Sequence, residues 1–480
     1  MIAASPIALT DAILALAFVG DLSMGRATDH SRRTACLAGW LARAAGADGA
    51  MQNHARAVAL LRWSGCTANA SGFAELLGDD IAAREAMMAQ TLPPLDARTQ
   101  SLIVPLAVIH CEISGDVAVT LGMPETVVTG LRQAFERHDG SGSPQGLAGS
   151  AITPVAHYVN AASDLEILSR AHGRERALRF LQSQADAKYP AAVVAQAITQ
   201  GPAWLDALDA SPPDCAAWNL HSAGACDADL SLLADVAELK LPWLAGYSRR
   251  TAALALRCAR QLGMDEATQA RLQAAALVHG IGRAATPNHV WDTPGRLSPD
   301  QWEKVRLMPY WTARAARQIQ GLADAAELAS YAYERLDGDG YFRGIGGAGL
   351  GPPQRVLATC VALQAMLEPR PWREALTPAQ ASALLHEEAR AGRHDAAVVD
   401  AALTVLDGGL PAARRESGLL SQRELDVLRQ ISLGASNKEA ARTLDISPST
   451  VRTHVESIFR KLDCTTRAAA TLKALTAGLL

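Results

Sequence analysis

Shifted by 217 positions, the sequence lies over itself. His30-Ser-Arg-Arg-Thr-Ala through Gly65 matches Tyr247-Ser-Arg-Arg-Thr-Ala through Gly282 without a gap, and nearly half of the positions are identical. A second block, Phe135-Glu-Arg-His-Asp-Gly-Ser-Gly-Ser-Pro-Gln-Gly-Leu, answers Tyr333-Glu-Arg-Leu-Asp-Gly-Asp-Gly-Tyr-Phe-Arg-Gly-Ile, and a third sets Ala191-Ala-Val-Val beside Ala396-Ala-Val-Val. Blocks that recur in the same order indicate one domain duplicated, because shared alanine-rich composition would not reproduce Ser-Arg-Arg-Thr in register. Each copy must therefore close a core of its own, and a chain of 480 residues leaves room for a further, smaller domain. The copies are placed at residues 1–227 and 228–406, a Gly/Pro-rich and charged linker at 407–417, and a last domain at 418–480.

Within each copy the period is helical. Leu254, Leu256, Cys258 and Leu262 lie among alanines, an apolar run follows from Leu272 to Val278, and Gly and Pro cluster in loops such as Asp337-Gly-Asp-Gly. No stretch reaches the roughly 18 continuous apolar residues of a membrane span, and the first residues lack a basic region followed by an apolar signal core. The eight cysteines are scattered without a Cys-x-x-Cys pair, so a reducing cytoplasm is expected, with no membrane partner. The net charge of −4 is uneven: residues 418–480 hold nine Lys/Arg against six Asp/Glu, leaving the rest acidic. A basic tail on an acidic body suits a nucleic-acid partner for the tail.

Four motifs of the second copy, Ala276-Leu-Val-His-Gly-Ile-Gly-Arg, Leu297-Ser-x-x-x-Trp-Glu, Glu334-Arg-x-Asp-Gly-x-Gly-Tyr and Gln364-Ala-Met-x-x-x-Arg-Pro, resemble the HD-GYP subgroup of HD phosphohydrolases. The resemblance implies an all-helical bundle and metal-dependent hydrolysis of phosphoesters, notably cyclic dinucleotides. That chemistry needs clustered His and Asp side chains to hold two or three ions. By position, the family's first His is Tyr247 here, its His-Asp pair is His279-Gly280, the next His is Met308, the His-His pair is Ala332-Tyr333 and the later Asp is Val361. The first copy keeps His30 but has Arg62-Trp63 and Ala134-Phe135 at the two pairs. His30, His110 and Asp164 are its residual metal candidates, and His279 is the one survivor of the second copy. No metal, no cofactor and no enzymatic activity are expected from these substitutions. A small-molecule pocket under the Asp-Gly-x-Gly loop, with Arg137, Arg335 or Tyr341 touching a phosphate-bearing or other ligand, competes with a purely structural loop in which Arg335 and Asp337 hold each other.

In the last domain, Ser421 with Glu424 and Ser436 with Glu439 have the spacing of capping boxes, and Ser447-Pro448 opens a third helix. Val451, Val455, Ile458 and Leu462 make one buried stripe, which turns Ser449, Arg452, Thr453, Glu456 and Arg460 outward. A helix of this kind enters a major groove. Ser421-x-Arg-Glu, Gly434-x-Ser-Asn-Lys-Glu, Ile446-Ser-x-x-Thr-Val-x-x-His454 and Lys461-Leu-x-x-x-x-Arg467-Ala resemble the LuxR-type helix-turn-helix family over the whole segment, with Ala440 in place of the usual isoleucine. The resemblance implies that Arg452, Thr453 and Glu456 face bases, although a basic residue often stands at the last position. It also implies that Asn437, Lys438, Ser447, Ser449, Thr450 and Lys461 lie near phosphates, and that the fourth helix, with Ala469, Leu472 and Leu475, joins two copies.

The expected architecture is all-α: two tandem HD-type helical domains followed by a four-helix LuxR-type domain. The expected function is a DNA-binding transcription regulator, a homodimer in this family's manner, whose repeats sense a ligand or set oligomeric state. The alternative is a metal-dependent phosphohydrolase or cyclic-dinucleotide phosphodiesterase fused to a DNA-binding domain.

Overall fold

The computed structural model describes residues 5–215, 218, 220, 227–408 and 419–480, so the linker expected at 407–417 lies almost wholly outside the described residues. Helices hold 68% of the chain, and the strands among the described residues are two three-residue pieces, Pro6–Ala8 and Asp227–Asp229, which makes the fold all-α. Two compact units form: Ala8–Ala228, and Asp229–Leu480 together with the segment ending at Ile7.

The duplication seen in the sequence is a duplication of structure, down to single hydrogen bonds. Helix His30–Ala44 is followed by Gly49–Leu61 in the first unit, as Tyr247–Gln261 is followed by Glu266–Val278 in the second. Asp48 and Asp265 cap the second helix of each pair, accepting from the N–H of Met51 and Thr268. The Asp-Gly loops are also alike. Buried Glu136 accepts from the Gln145 and Leu147 N–H groups at 2.7 and 2.9 Å, and Glu334 from those of Arg343 and Ile345 at 2.7 and 3.3 Å.

A close approach of backbone recurs too. A Cβ on Gly65 would collide with the His110 backbone, and one on Gly282 with that of Met308, so only glycine fits at either place. The Gly65 N–H donates to Ser114 Oγ at 3.1 Å and the Gly282 N–H to Thr312 Oγ1 at 3.3 Å. These contacts make His110 the structural counterpart of Met308.

The helix Ala97–Thr120 has the length and apolarity to cross a membrane, although Glu112 and Asp116 break its apolar run. Half of its apolar window is buried inside the unit, with His110, Ser114 and Asp116 on the buried side, as in a core helix.

The last domain is built from helices Gln422–Ser432, Asn437–Leu444, Pro448–Leu462 and Arg467–Thr476. Both capping boxes close as the spacing predicts, and Ser447 accepts from the Thr450 N–H with Pro448 at the first helical position. Asp445 adopts a left-handed φ of 52°, which ends the second helix and turns the chain into the third.

Candidate functional site

The third helix of the last domain has the two-sided character that DNA reading requires. Val451, Val455, Ile458 and Leu462 are buried, while Ser449, Arg452, Thr453 and Glu456 are exposed on the opposite side. Arg452 Nε donates to Glu456 Oε1 at 2.9 Å, one turn apart, so the acidic residue orients the guanidinium. Ser447, Ser449 and Thr450 share hydroxyl hydrogen bonds of 2.7 and 2.8 Å at the helix start, where backbone N–H groups favour a phosphate. Lys438 is exposed, and Asn437 Oδ1 accepts from Arg467 Nη2 at 2.7 Å.

Lys461 is held differently from its neighbours. Its ammonium donates to Glu424 Oε2 at 2.7 Å, and Ser457 Oγ donates to the other oxygen at 2.7 Å. Burial raises the Glu424 pKa, but Lys461, the Ser421 N–H and Ser457 outweigh it and hold the carboxyl down at about 2. Glu424 thereby ties the first helix to the third and sets the angle of the reading helix.

The fourth helix buries Ala469, Ala470, Leu472, Ala474 and Leu475 within its own unit. It packs on the first and third helices of its domain and on Ser231–Glu238 of the second copy. A Cβ on Gly246 would lie 3.3 Å from Leu475 Cδ2, and one on Gly434 3.2 Å from Pro242 Cβ. The turn Pro242–Tyr247 thus carries the DNA-binding domain on one side. On its other side, Trp243, Leu244 and Tyr247 line a cavity of 410 Å³.

That cavity is where the HD-GYP resemblance places a metal centre. Five of the residues at the family's ligand positions, Tyr247, Met308, Ala332, Tyr333 and Val361, line it, as do the expected pocket residues Arg335 and Tyr341, whereas His279 and Gly280 are not among its lining residues. It adjoins a wider cavity of 970 Å³ with which it shares Trp291, Trp302, Tyr341 and Trp372. Arg335 also pairs with Asp337, so it serves loop and cavity together. Arg137, in the other copy, donates to Ser141 Oγ at 2.8 Å and Gln184 Oε1 at 3.3 Å and is not brought to this place.

The donors do not fit a set of two or three ions. Among the described residues no group of three His, Cys, Asp or Glu side chains is placed to hold a metal. His279 Nδ1 donates to the Ala276 carbonyl, 2.7 Å away, and burial, aided by the Arg283 charge, pushes its pKa down to about 3. The residual candidates of the first copy also have other partners. His30 Nδ1 meets Glu166 at 2.5 Å, His110 Nε2 meets the Arg62 carbonyl at 2.7 Å, and Asp164 accepts from Lys188 at 2.5 Å and from Tyr189.

Cations stand in place of ligands in both copies. Arg62, the counterpart of His279, is buried against the Trp63 ring, its carbon 4.6 Å from the centroid. In the second copy the guanidinium of Arg283 fills the space that a side chain on Gly280 would enter. The sequence reading missed Arg283, Arg370 and the tryptophans of this cavity. A signal was present, since a chain with only 5% aromatic residues places Trp243, Trp291, Trp302 and Trp372 within one copy.

Residues 231–398 match the family model of the HD domain, and residues 418–474 that of the bacterial regulatory proteins, luxR family. A 3'3'-cGAMP-specific phosphodiesterase of Vibrio cholerae is 27% identical over 288 residues, 58% of this chain and 63% of that protein's length. The nitrate/nitrite response regulator protein NarP of Escherichia coli is 46% identical over 54 residues, 11% of this chain and 25% of that protein. A crystal structure of a cyclic GMP-AMP specific phosphodiesterase of V. cholerae has a TM-score of 0.60 at 21% identity, covering 84% of this chain and 98% of that one, which shows the shared fold. The phosphodiesterase relatives overturn the expectation that the chain is not an enzyme. The body is phosphodiesterase-like, and absent ligands at the expected positions do not establish absent activity. The chain joins an HD-domain body with HD-GYP-like features to a C-terminal DNA-binding domain of the luxR family of bacterial regulatory proteins.

Proposed function

We propose that this protein regulates transcription as a homodimer on double-stranded DNA, and that its HD-GYP-like body senses a small molecule and passes the signal to the tail. The observation that carries this reading is the turn Pro242–Tyr247, which lines the cavity of the second copy and also supports the DNA-binding domain. On this reading the domains are residues 1–227, 228–406 and 418–480. Arg452, Thr453 and Glu456 read base edges, while Asn437, Lys438, Ser447, Ser449, Thr450 and Lys461 sit along phosphates. A homodimer places two such helices on a two-fold site.

The relatives supply the first ligand class to try, because the V. cholerae protein of 27% identity acts on 3'3'-cGAMP. They also favour a second reading, in which the body hydrolyses such a molecule. The test is genome-wide mapping of bound DNA in cells with raised and lowered cyclic-dinucleotide levels, paired with a hydrolysis assay of the full chain with added Mn²⁺. Occupancy that follows the nucleotide supports sensing, turnover supports the phosphodiesterase reading, and occupancy indifferent to the nucleotide removes this ligand class.

A further inference from the structure

The second copy buries a guanidinium that has no contact ion pair among the described residues. Arg283 is 8% exposed, its Nη2 donates to Tyr333 Oη at 2.6 Å, and its Nη1 has no hydrogen-bond partner among the described residues. Its other neighbours are the His279 ring, 3.4 Å from Nη2, and the Tyr247 ring, whose centroid is 5.4 Å from the guanidinium carbon. No carboxylate forms an ion pair with it among the described residues. Glu238 faces it without touching it, both Glu238 and Arg283 being buried. A buried donor left open in a native fold calls for an acceptor from outside, and a guanidinium calls for an anion.

A second cation stands beside the first. Arg370 lies over the rings of Trp243 and Tyr247, 5.0 and 5.1 Å from their centroids, and its one ion pair among the described residues is a 3.5 Å contact to Glu368. Around both, aromatic faces are set in order. Tyr333 and Tyr341 stack with centroids 5.1 Å apart and planes 8° apart, and Trp302 and Trp372 turn edges to Tyr341 and Trp243. Trp302 and Trp372 are 40% and 45% exposed, so each keeps surface free at the rim of the 970 Å³ cavity.

We propose that this pocket binds a nucleotide without a metal ion: Arg283 and Arg370 take the phosphate, and the base stacks on Trp372. Guanidinium groups match phosphate oxygens two at a time, and a ring carrying the phosphate uses the tryptophan face, which a bare anion leaves idle. The two arginines supply the positive charge that ions supply to phosphodiester ligands elsewhere, so the ligand binds in the presence of a chelator. This rests on the reading of the body as a ligand-sensing module.

The test is titration of the full chain in EDTA with GMP, AMP, 3'3'-cGAMP, guanosine and inorganic phosphate, followed by tryptophan fluorescence and calorimetry. At least one nucleotide is expected to bind with quenching, and guanosine and inorganic phosphate to bind at least tenfold more weakly. Trp372→Ala and Arg370→Gln are each expected to lose tenfold or more in affinity. Arg283→Lys, which keeps the charge but not the fork, is expected to lose less than Arg283→Gln. Trp372 is exposed enough that its variant reports on binding even where an Arg283 variant fails to fold. Binding that needs added Mn²⁺, binding indifferent to Trp372→Ala and Arg370→Gln, or no nucleotide binding at all overturns the proposal. DNA binding by the same preparations separates the two readings: intact DNA binding with no nucleotide binding sinks the pocket alone, whereas nucleotide binding that never alters DNA occupancy sinks the sensing role and leaves the pocket standing.

Discussion

Arg283 and Gly280 share one space: the guanidinium Nη1 lies where the first carbon of a side chain at position 280 would be. The residue that stands in the second half of the His-Asp pair is therefore glycine for a structural reason, since any larger residue competes with Arg283 for room.

Gly280→Ala is expected to push the guanidinium away from Tyr333 and to lower stability by about 1–3 kcal/mol, the usual cost of overfilling a packed site. Denaturant unfolding measures it. In an Arg283→Ala background the same substitution is expected to cost little, and an equal loss in both backgrounds would show that the two positions do not compete.

Glu238 and Asp21 are counterparts in the two copies, each accepting from the backbone N–H of a repeated serine, Ser248 and Ser31. Burial raises Glu238 to about 7 and Asp21 to about 6, against opposing hydrogen bonds from those serines and, for Asp21, the His30 charge. A carboxyl raised in the folded state stabilises it most below its unfolded pKa, and that contribution is lost as pH rises through the folded value. Glu238→Gln is therefore expected to raise the melting temperature relative to the wild type at pH 8.5 and to leave it nearly unchanged at pH 4.5. A larger gain at the acid end would reverse the assignment.

Glu424 has the opposite sign. Its carboxyl is held down at about 2, so its contribution is present above pH 4.5 and lost as pH falls toward 2. Lys461→Ala is expected to lower the stability of the DNA-binding domain by about 1–2 kcal/mol by leaving a buried carboxylate short of a partner, and to weaken binding to all DNA sequences alike. Arg452→Ala, on an exposed side chain, is expected to leave stability unchanged and to cost about 1–3 kcal/mol on the specific site with little loss on random DNA. Melting curves and salt-titrated binding on both DNAs separate the two variants, and equal losses on both DNAs for Arg452→Ala would remove it as a base contact.

Leu475 is buried against Gly246 as part of the helix expected to join two copies. Gly246 has a φ of +74°, so Gly246→Ala both strains the turn and presses on Leu475. It is expected to loosen this contact and to raise the dimer fraction of the full chain in sedimentation experiments. An unchanged fraction would mean that the body does not restrain the fourth helix.

The sequence by itself determined what is local or repeated. The capping boxes at Ser421 and Ser436, the buried stripe from Val451 to Leu462 and the matching Asp48 and Asp265 caps follow from spacing alone, because each depends on residues three or four apart. The register of the duplication could be read from residue identities in the same way. The tertiary structure decided what fills a space. That Arg283, three residues beyond Gly280, turns back into its place, that Arg370 arrives from a distant turn to stand over Tyr247, and that Lys461 meets Glu424 across two helices depend on packing between elements, which no short-range spacing encodes. The missing ligands were legible as a list of substitutions. Their replacement by buried guanidinium groups among aromatic rings was not, because charge and ring faces gain their meaning only when the fold removes water and brings them together.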